Sequence, residues 1–239
     1  TAFNTDSFSL GTSDEVNKNA ETYVGWSWKA DDNEPTLFGG FAKAVYKFED
    51  NANDVTGTYN GTASNVSYSS SGKFNKAAEF NGSSSKITST AGLSGNPVFS
   101  ISFWIYPTDY NGTPIMFGNN SSGEAFLTFI NSSYKLNFGR WGDSLGDSTA
   151  SVPQNTWTHI AIANNAGDVQ LYINGVADLS FSTTYSIANT NFYIGAANST
   201  QYFDGKIDQV RIYNGVVSDI DVAELYAETV SDNDDVDLG

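Results

Sequence analysis

The sequence predicts an all-β protein: an antiparallel sandwich of two sheets, finished by one short C-terminal helix. Three observations lead there. Residues 157–218 run as short alternating strands parted by polar turns, among them Gly167-Asp168 and Asn174-Gly175, and turn signals every 8–12 residues or so are the mark of a sandwich. Residues 99–106 alternate so that Phe99, Ile101, Phe103 and Ile105 share one face, while Ser100, Ser102, Trp104 and Tyr106 share the other. Finally, aromatic residues make up 14% of a chain that contains no cysteine, so packing has to come from rings on pleated surfaces rather than from disulfide staples.

A chain of 239 residues is long enough for one large β domain and buries roughly 70% of its unfolded surface without such staples. The lack of cysteine also excludes thiol chemistry and cysteine-ligated zinc, and it is ordinary for a secreted protein of bacteria or their viruses. With 27 acidic against 11 basic residues the net charge is −16. No basic patch follows a phosphate backbone, so neither nucleic acid nor an anionic membrane is an expected partner. The excess of carboxylates suits either hard cations such as Ca²⁺ or solubility in a salty medium. Residues 1–30 hold no apolar run of the about 7–15 residues a signal peptide needs, and no stretch approaches the about 18 of a membrane span.

In chain order, residues 1–42 form a polar lead with two strand-like pieces, at 8–10 and 22–28. Residues 43–228 form the main domain. It opens at 44–49, with Tyr46 and Phe48 on one side and Lys47 and Glu49 on the other. Strands follow at 77–80 and 86–89, flanked by the Asn81-Gly82 turn, and then at 99–106. Residues 125–130 and 134–139 read as a hairpin across Asn131-Ser132-Ser133, and 157–163 with 169–173 as another. Residues 192–195 and 207–213 complete the strands. At 218–228 the period changes: Ser218 reads as an N-cap, acidic residues fill the first turn, and Ile220, Ala223 and Leu225 recur at helical spacing. Residues 229–239 are an acidic tail, loosely like the Asp-rich loops that bind calcium but with incomplete ligand spacing, and otherwise a solvated end.

The strand order in 157–218, ending in Phe203-Asp204-Gly205 before a last strand, resembles the laminin-G-like branch of the concanavalin A-like lectin/glucanase jelly rolls. The resemblance implies a jelly-roll sandwich with a short helix at its end, used mostly to hold sugars or partner proteins. A second, shorter resemblance covers residues 6–30, which are similar to a segment of structural proteins of marine bacteriophages. That lead is then either the end of a preceding module or a strand pair docked on the sandwich.

Jelly-roll glucanases carry a Glu-x-Asp-x-x-Glu run on one strand. This chain has none: Glu124 stands alone before 126–129, and Glu79 has no acidic partner on its strand. Glycoside hydrolysis requires two carboxyl groups about 5–9.5 Å apart. Ser-type catalysis requires a histidine base, and the one histidine, His159, lies on a strand opposite in parity to Ile160 and Ile162, a packing position. The chain reads as non-catalytic.

A calcium site is the sharpest local expectation. Asp208 shares strand parity with Val210 and Ile212, so an inward-facing carboxylate there asks for a partner. The resemblance implies Ca²⁺ held by Asp50 or Asp54, by carbonyls near Asn53 and Thr56, and by Asp208. The alternative is an Asp-capped turn with Asp208 bonded to loop amides. For sugars, candidates are aromatics beside amides or carboxylates in turns: Trp141 with Arg140 and Asp143 at the head of a Gly/Asp/Ser loop, Tyr110 with Asn111, and Tyr202 with Asn198 and Gln201. Each could instead fold back on the sheet. The functional expectation is a binding module shown outside a cell or on a virion, with a glycan or surface polymer as ligand, or else a structural virion module whose partners are other virion proteins.

Overall fold

The computed structural model describes residues 2–3, 8–9, 42–90, 93–110, 112–119 and 125–229. The chain divides into two units, Thr1–Asp32 and Asn33–Gly239. In the first, β1 (Ala2–Phe3) pairs antiparallel with β2 (Phe8–Ser9). The strand expected at 22–28, Glu124 and the acidic residues 231–239 lie outside the described residues.

The second unit is two antiparallel sheets. One has seven strands: β4 (Thr62–Ser64), β7 (Lys86–Ser89), β9 (Ile115–Gly118), β10 (Ala125–Ile130), β11 (Lys135–Arg140), β12 (Asp143–Ser151) and β16 (Phe192–Ile194). Their order is β12-β11-β10-β9-β16-β7-β4. The other sheet is built from β5 (Ser67–Ser69), β6 (Ala77–Asn81), β8 (Val98–Pro107), β13 (Thr158–Asn165), β14 (Asp168–Ile173), β15 (Val176–Ser182) and β17 (Asp204–Tyr213). It runs β15-β14-β13-β8-β17-β6-β5, with β3 (Ala42–Tyr46) pairing β17 beside that path. The jelly-roll sandwich expected from the sequence is what forms.

Between the sheets lies the main core. Phe99, Ile101, Phe103 and Ile105 of β8 all face it, as their alternation requires. Opposite them Phe117 stacks on Phe192 with ring centroids 4.5 Å apart, and Phe126 meets Phe138 edge-on at 4.3 Å. Burying each of these rings contributes roughly 1.5–3 kcal/mol.

β17 carries the one feature that parity misplaced. Along one flank it pairs β8; along the other it pairs first β6 (Asp204–Ile207) and then β3 (Val210–Tyr213). Where the partner changes, Asp208 opposes Trp104 and Arg211 opposes Ser102. Three steps of β17 thus match two of β8, a bulge at which Gln209 takes φ 49°. The inserted residue flips the parity. Asp208 therefore shares the outward side with Trp104, and the inward carboxylate expected from its spacing to Val210 is not there.

Helix α1 (Asp219–Ala227) starts on a capping box: the Ser218 hydroxyl accepts from the Asp221 amide, and the Asp221 carboxylate accepts from the Ser218 amide (2.6 Å). It buries Val222 and Leu225 against Ala161, Ala163, Tyr172 and Tyr213 on the outward face of the β17 sheet. The expected stripe through Ile220 and Ala223 is displaced: Ile220 is 71% exposed, because the face that meets the sheet is set by the Val222–Leu225 spacing. Among the described residues no helix is long and apolar enough to cross a membrane.

Edge strands β12 and β15 run close together. Both oxygens of Asp178 on β15 accept backbone N–H groups of β12, from Thr149 (2.6 Å) and Ala150 (2.7 Å). Amides that an edge strand would otherwise offer to another chain are thereby occupied.

Candidate functional site

Among the described residues no helix covers the outward face of the seven-stranded sheet. Since Phe117, Phe126 and Phe138 face the core, their neighbours on the same strands face out. Registers place Tyr193, Met116, Leu127, Gly139 and Ser144 in one row across β16, β9, β10, β11 and β12. Phe129 and Asn137 form the next row. At Gly139 a Cβ would stand 2.7 Å from the Asp143 carbonyl oxygen. The position therefore excludes a side chain and leaves the floor flat between Leu127 and Ser144.

Above this floor stands the β11–β12 hairpin, with Arg140 opposite Asp143 and a two-residue turn of Trp141 and Gly142. Gly142 has φ 84°, a conformation that favours glycine. Trp141 is half-buried and packs against the cluster of Met116, Ala125, Leu127 and Tyr193. The sequence placed Trp141 at the head of a loop. The segment after its turn is instead β12, a strand in which Ser148 alone is buried, so no apolar alternation announces it.

Together these residues line an open cavity of about 380 Å³, with Leu127, Phe129 and Gly139 as floor and Asn137, Arg140, Trp141, Asp143 and Gln201 around it. Arg140 is held firmly: Nε and Nη2 both donate to Asp143 Oδ2 (3.0 and 2.8 Å), and Nη1 donates to the Thr184 carbonyl (2.8 Å). The Asn137 amide nitrogen donates to Ser144 Oγ, Asp147 Oδ1 (2.7 Å) and the Gly146 carbonyl (3.2 Å). Gln201, at φ 48°, accepts from Thr113 at both its carbonyl (2.9 Å) and Oε1 (3.2 Å). Chemically, the arrangement offers an apolar ring and floor beside fixed amides and a neutralised ion pair. Among the described residues its lining holds one carboxylate and no histidine.

Of the sugar candidates, the structure brings together Trp141, Arg140 and Asp143, and adds Gln201 from a distant segment. Tyr110 is 38% exposed and meets Tyr134 edge-on at 6.0 Å, away from this lining, and its neighbour Asn111 lies outside the described residues. Tyr202 is half-buried, and the Asn198 carbonyl accepts from Lys86 Nζ (3.0 Å); neither lines the cavity. Sequence reasoning passed over Leu127, Phe129 and Asn137. The outward parity of the two strands leading to Trp141 is the signal that finds them.

The residues expected to hold calcium stand differently. Asp54, 3% exposed, accepts from the amides of Val45 (2.8 Å), Thr56 (3.1 Å) and Tyr59 (2.9 Å) and from the Thr56 hydroxyl. This is the hydrogen-bonding of an Asp-organised turn. Asp50 is ion-paired with Lys76 at an exposed site, and the Asn53 amide donates to Asn51 Oδ1 (2.8 Å). Asp208, fully buried, accepts from the amides of Phe74 (3.0 Å) and Gln209 (2.8 Å). Burial pushes its carboxyl up to about 7 against those amides, with the Glu49 charge adding to the rise. Among the described residues no three acidic or histidine side chains stand where they could hold a metal ion. With N–H and O–H donors facing these carboxylate oxygens, the donor set as arranged does not fit a cation.

His159 lies on the outward side of the β17 sheet, as parity requires. It is 1% exposed, opposite Trp104 in register, with Nε2 3.4 Å from Ser102 Oγ. Burial first, then the charges of Arg211 and Lys73, lower its pKa to about 3. It is a neutral packed ring, remote in register from the cavity on the other sheet.

Residues 80–223 match the family described as the Concanavalin A-like lectin/glucanases superfamily. Among solved structures the chain is similar to domain 4 of AbnA, an extracellular GH43 arabinanase from Geobacillus stearothermophilus, in complex with arabinotriose. Identity is 27% and the TM-score 0.65, over 78% of this chain and 98% of that one. It is also similar to the binding domain of Paraclostridial Mosquitocidal Protein 1 (22%, TM-score 0.62) and to the Botulinum neurotoxin serotype D binding domain (20%, TM-score 0.60). At those identities the likeness is one of fold, and the match spans 52% and 50% of those two chains. No curated protein matches the chain.

Proposed function

The chain belongs to the concanavalin A-like lectin/glucanase superfamily, and on that premise we propose that it is a non-catalytic glycan-binding module acting outside a cell, its ligand held in the cavity headed by Trp141. One observation carries the reading. A half-buried tryptophan, an apolar floor and fixed amides converge on one open face, the combination that stacks pyranose or furanose C–H surfaces while serving hydroxyls. The arabinanase domain, nearly all of which this chain covers, was solved with arabinotriose, which supports the same use here. Among the described residues the lining holds one carboxylate, Asp143, already paired to Arg140, which supports binding over the two-carboxyl chemistry of glycoside hydrolysis.

Glycan arrays with wild type and Trp141→Ala test this. Binding to a glycan that falls by at least about tenfold (roughly 1.4 kcal/mol) in the variant is the expected result. Equal binding by the two proteins overturns the assignment of the cavity. The structural virion reading rests on residues 6–30, most of which lie outside the described residues. Calcium is a separate question, answered by melting rather than by binding, and no part of the glycan reading runs through it.

A further inference from the structure

We infer that the cavity takes an uncharged glycan and rejects sialylated, uronate-bearing or sulfated ones, with Asp143 setting that choice; this rests on the glycan-binding reading above. Among the described residues the cavity's one cation is Arg140. A guanidinium recognises a carboxylate through a pair of parallel N–H groups, and here Nε and Nη2 are already spent on Asp143 Oδ2 while Nη1 is turned to the Thr184 carbonyl. Two of its five N–H groups remain, and an anion arriving at them would meet the adjoining Asp143 carboxylate as a like charge.

The surroundings point the same way. Asp147 stands beside the lining, bonded to Asn137. The nearby lysines are directed elsewhere: Lys135 Nζ donates to the Thr149 carbonyl, and Lys86 Nζ to the Asn198 carbonyl and Ser199 Oγ (2.9 Å). At a net charge of −16, the field of the whole molecule repels anions before contact. A hydroxyl both donates and accepts, so a neutral sugar is suited to what the lining offers: the Gln201 amide nitrogen and the Trp141 indole N–H as donors, Asn137 Oδ1 and the second Asp143 oxygen as acceptors. None of these four has a bonded partner among the described residues.

The test is one array carrying neutral, sialylated, uronate and sulfated chains, read with wild type, Trp141→Ala and Asp143→Asn, each checked for an unchanged melting transition. Trp141-dependent signal is expected on uncharged glycans, at least about tenfold above carboxylated chains of the same backbone. Between about 50 and 500 mM NaCl it should hold within about twofold, since no ion pair to the ligand is screened. Asp143→Asn releases Arg140 and should raise the carboxylated signals several-fold. Trp141-dependent signal that is equal or stronger on anionic glycans overturns this inference and leaves the glycan reading standing. No Trp141-dependent signal on any chain removes the glycan reading and this inference with it.

Discussion

Both sheets of this sandwich turn a tryptophan outward, and the two have opposite fates. Trp104, on the β17 sheet, is 3% exposed: Tyr226 of α1 stacks on it at 5.7 Å, Lys73 Nζ stands 4.0 Å from its ring centroid, and Phe74 meets it edge-on at 6.3 Å. Trp141, on the other sheet, has no helix over it among the described residues and stays half-buried at the rim of an open cavity. A nine-residue helix and the 72–76 segment thus turn one outward face into a second core, complete with the half-buried Arg211–Glu228 ion pair (2.6 Å). The face without such cover among the described residues is the one on which the proposed glycan cavity opens.

The largest way to break this comparison is Trp104→Ala. Removing a covered ring should cost roughly 3–5 kcal/mol and lower the melting temperature by about 2–4 °C for each kcal/mol at this chain length. Trp141→Ala should instead change stability by less than about 1 kcal/mol, as for a partly exposed side chain, and act on binding. A large melting shift from Trp141→Ala, or a small one from Trp104→Ala, would erase the distinction between the faces.

Protonation sharpens it further, because Trp104 lies in register between His159 and Asp208. His159, lowered to about 3 from 6.5, contributes stability that is present above pH 6.5 and lost as pH falls toward 3. Asp208, raised to about 7 from 3.8, contributes stability that is present below pH 3.8 and lost as pH rises through 7. Over the shared window the two slopes oppose each other. Relative to wild type, His159→Gln should therefore gain melting temperature as pH is lowered from 7 to 4, and Asp208→Asn should lose it. Melts across that range check both; parallel curves for wild type and variants would show that neither group titrates as its burial implies.

The smallest expected effect is that of calcium. With amides on Asp54 and Asp208, wild-type melts in Ca²⁺ and in EGTA should coincide. A calcium-dependent rise that Asp208→Ala abolishes would instead establish the ion drawn from the laminin-G-like resemblance, through linkage to folding.

How legible the molecule was depended on what each residue does locally. Phe99 to Ile105 announce β8 because every second residue enters the core. β12 was invisible because an edge strand facing solvent has no such alternation. Asp208 misled because parity counting presumes an unbroken ladder, and the extra residue at Gln209 leaves no compositional trace. In the site, Trp141 could be picked out by its company of Gly, Asp and Arg in a turn. Asn137 and Phe129 have no such company and emerge only when outward parity is traced back along the two strands that lead to that tryptophan.

The Asp178 clamp on β12 has a consequence for life in a crowd. A module presented in many copies on one surface sits at high local concentration, where strand edges tend to join neighbouring molecules into fibres. Because the Thr149 and Ala150 amides already have a carboxylate from their own chain, copies standing side by side gain nothing by adding strand to strand there. If the module is displayed in this way, its copies would remain separate along that edge.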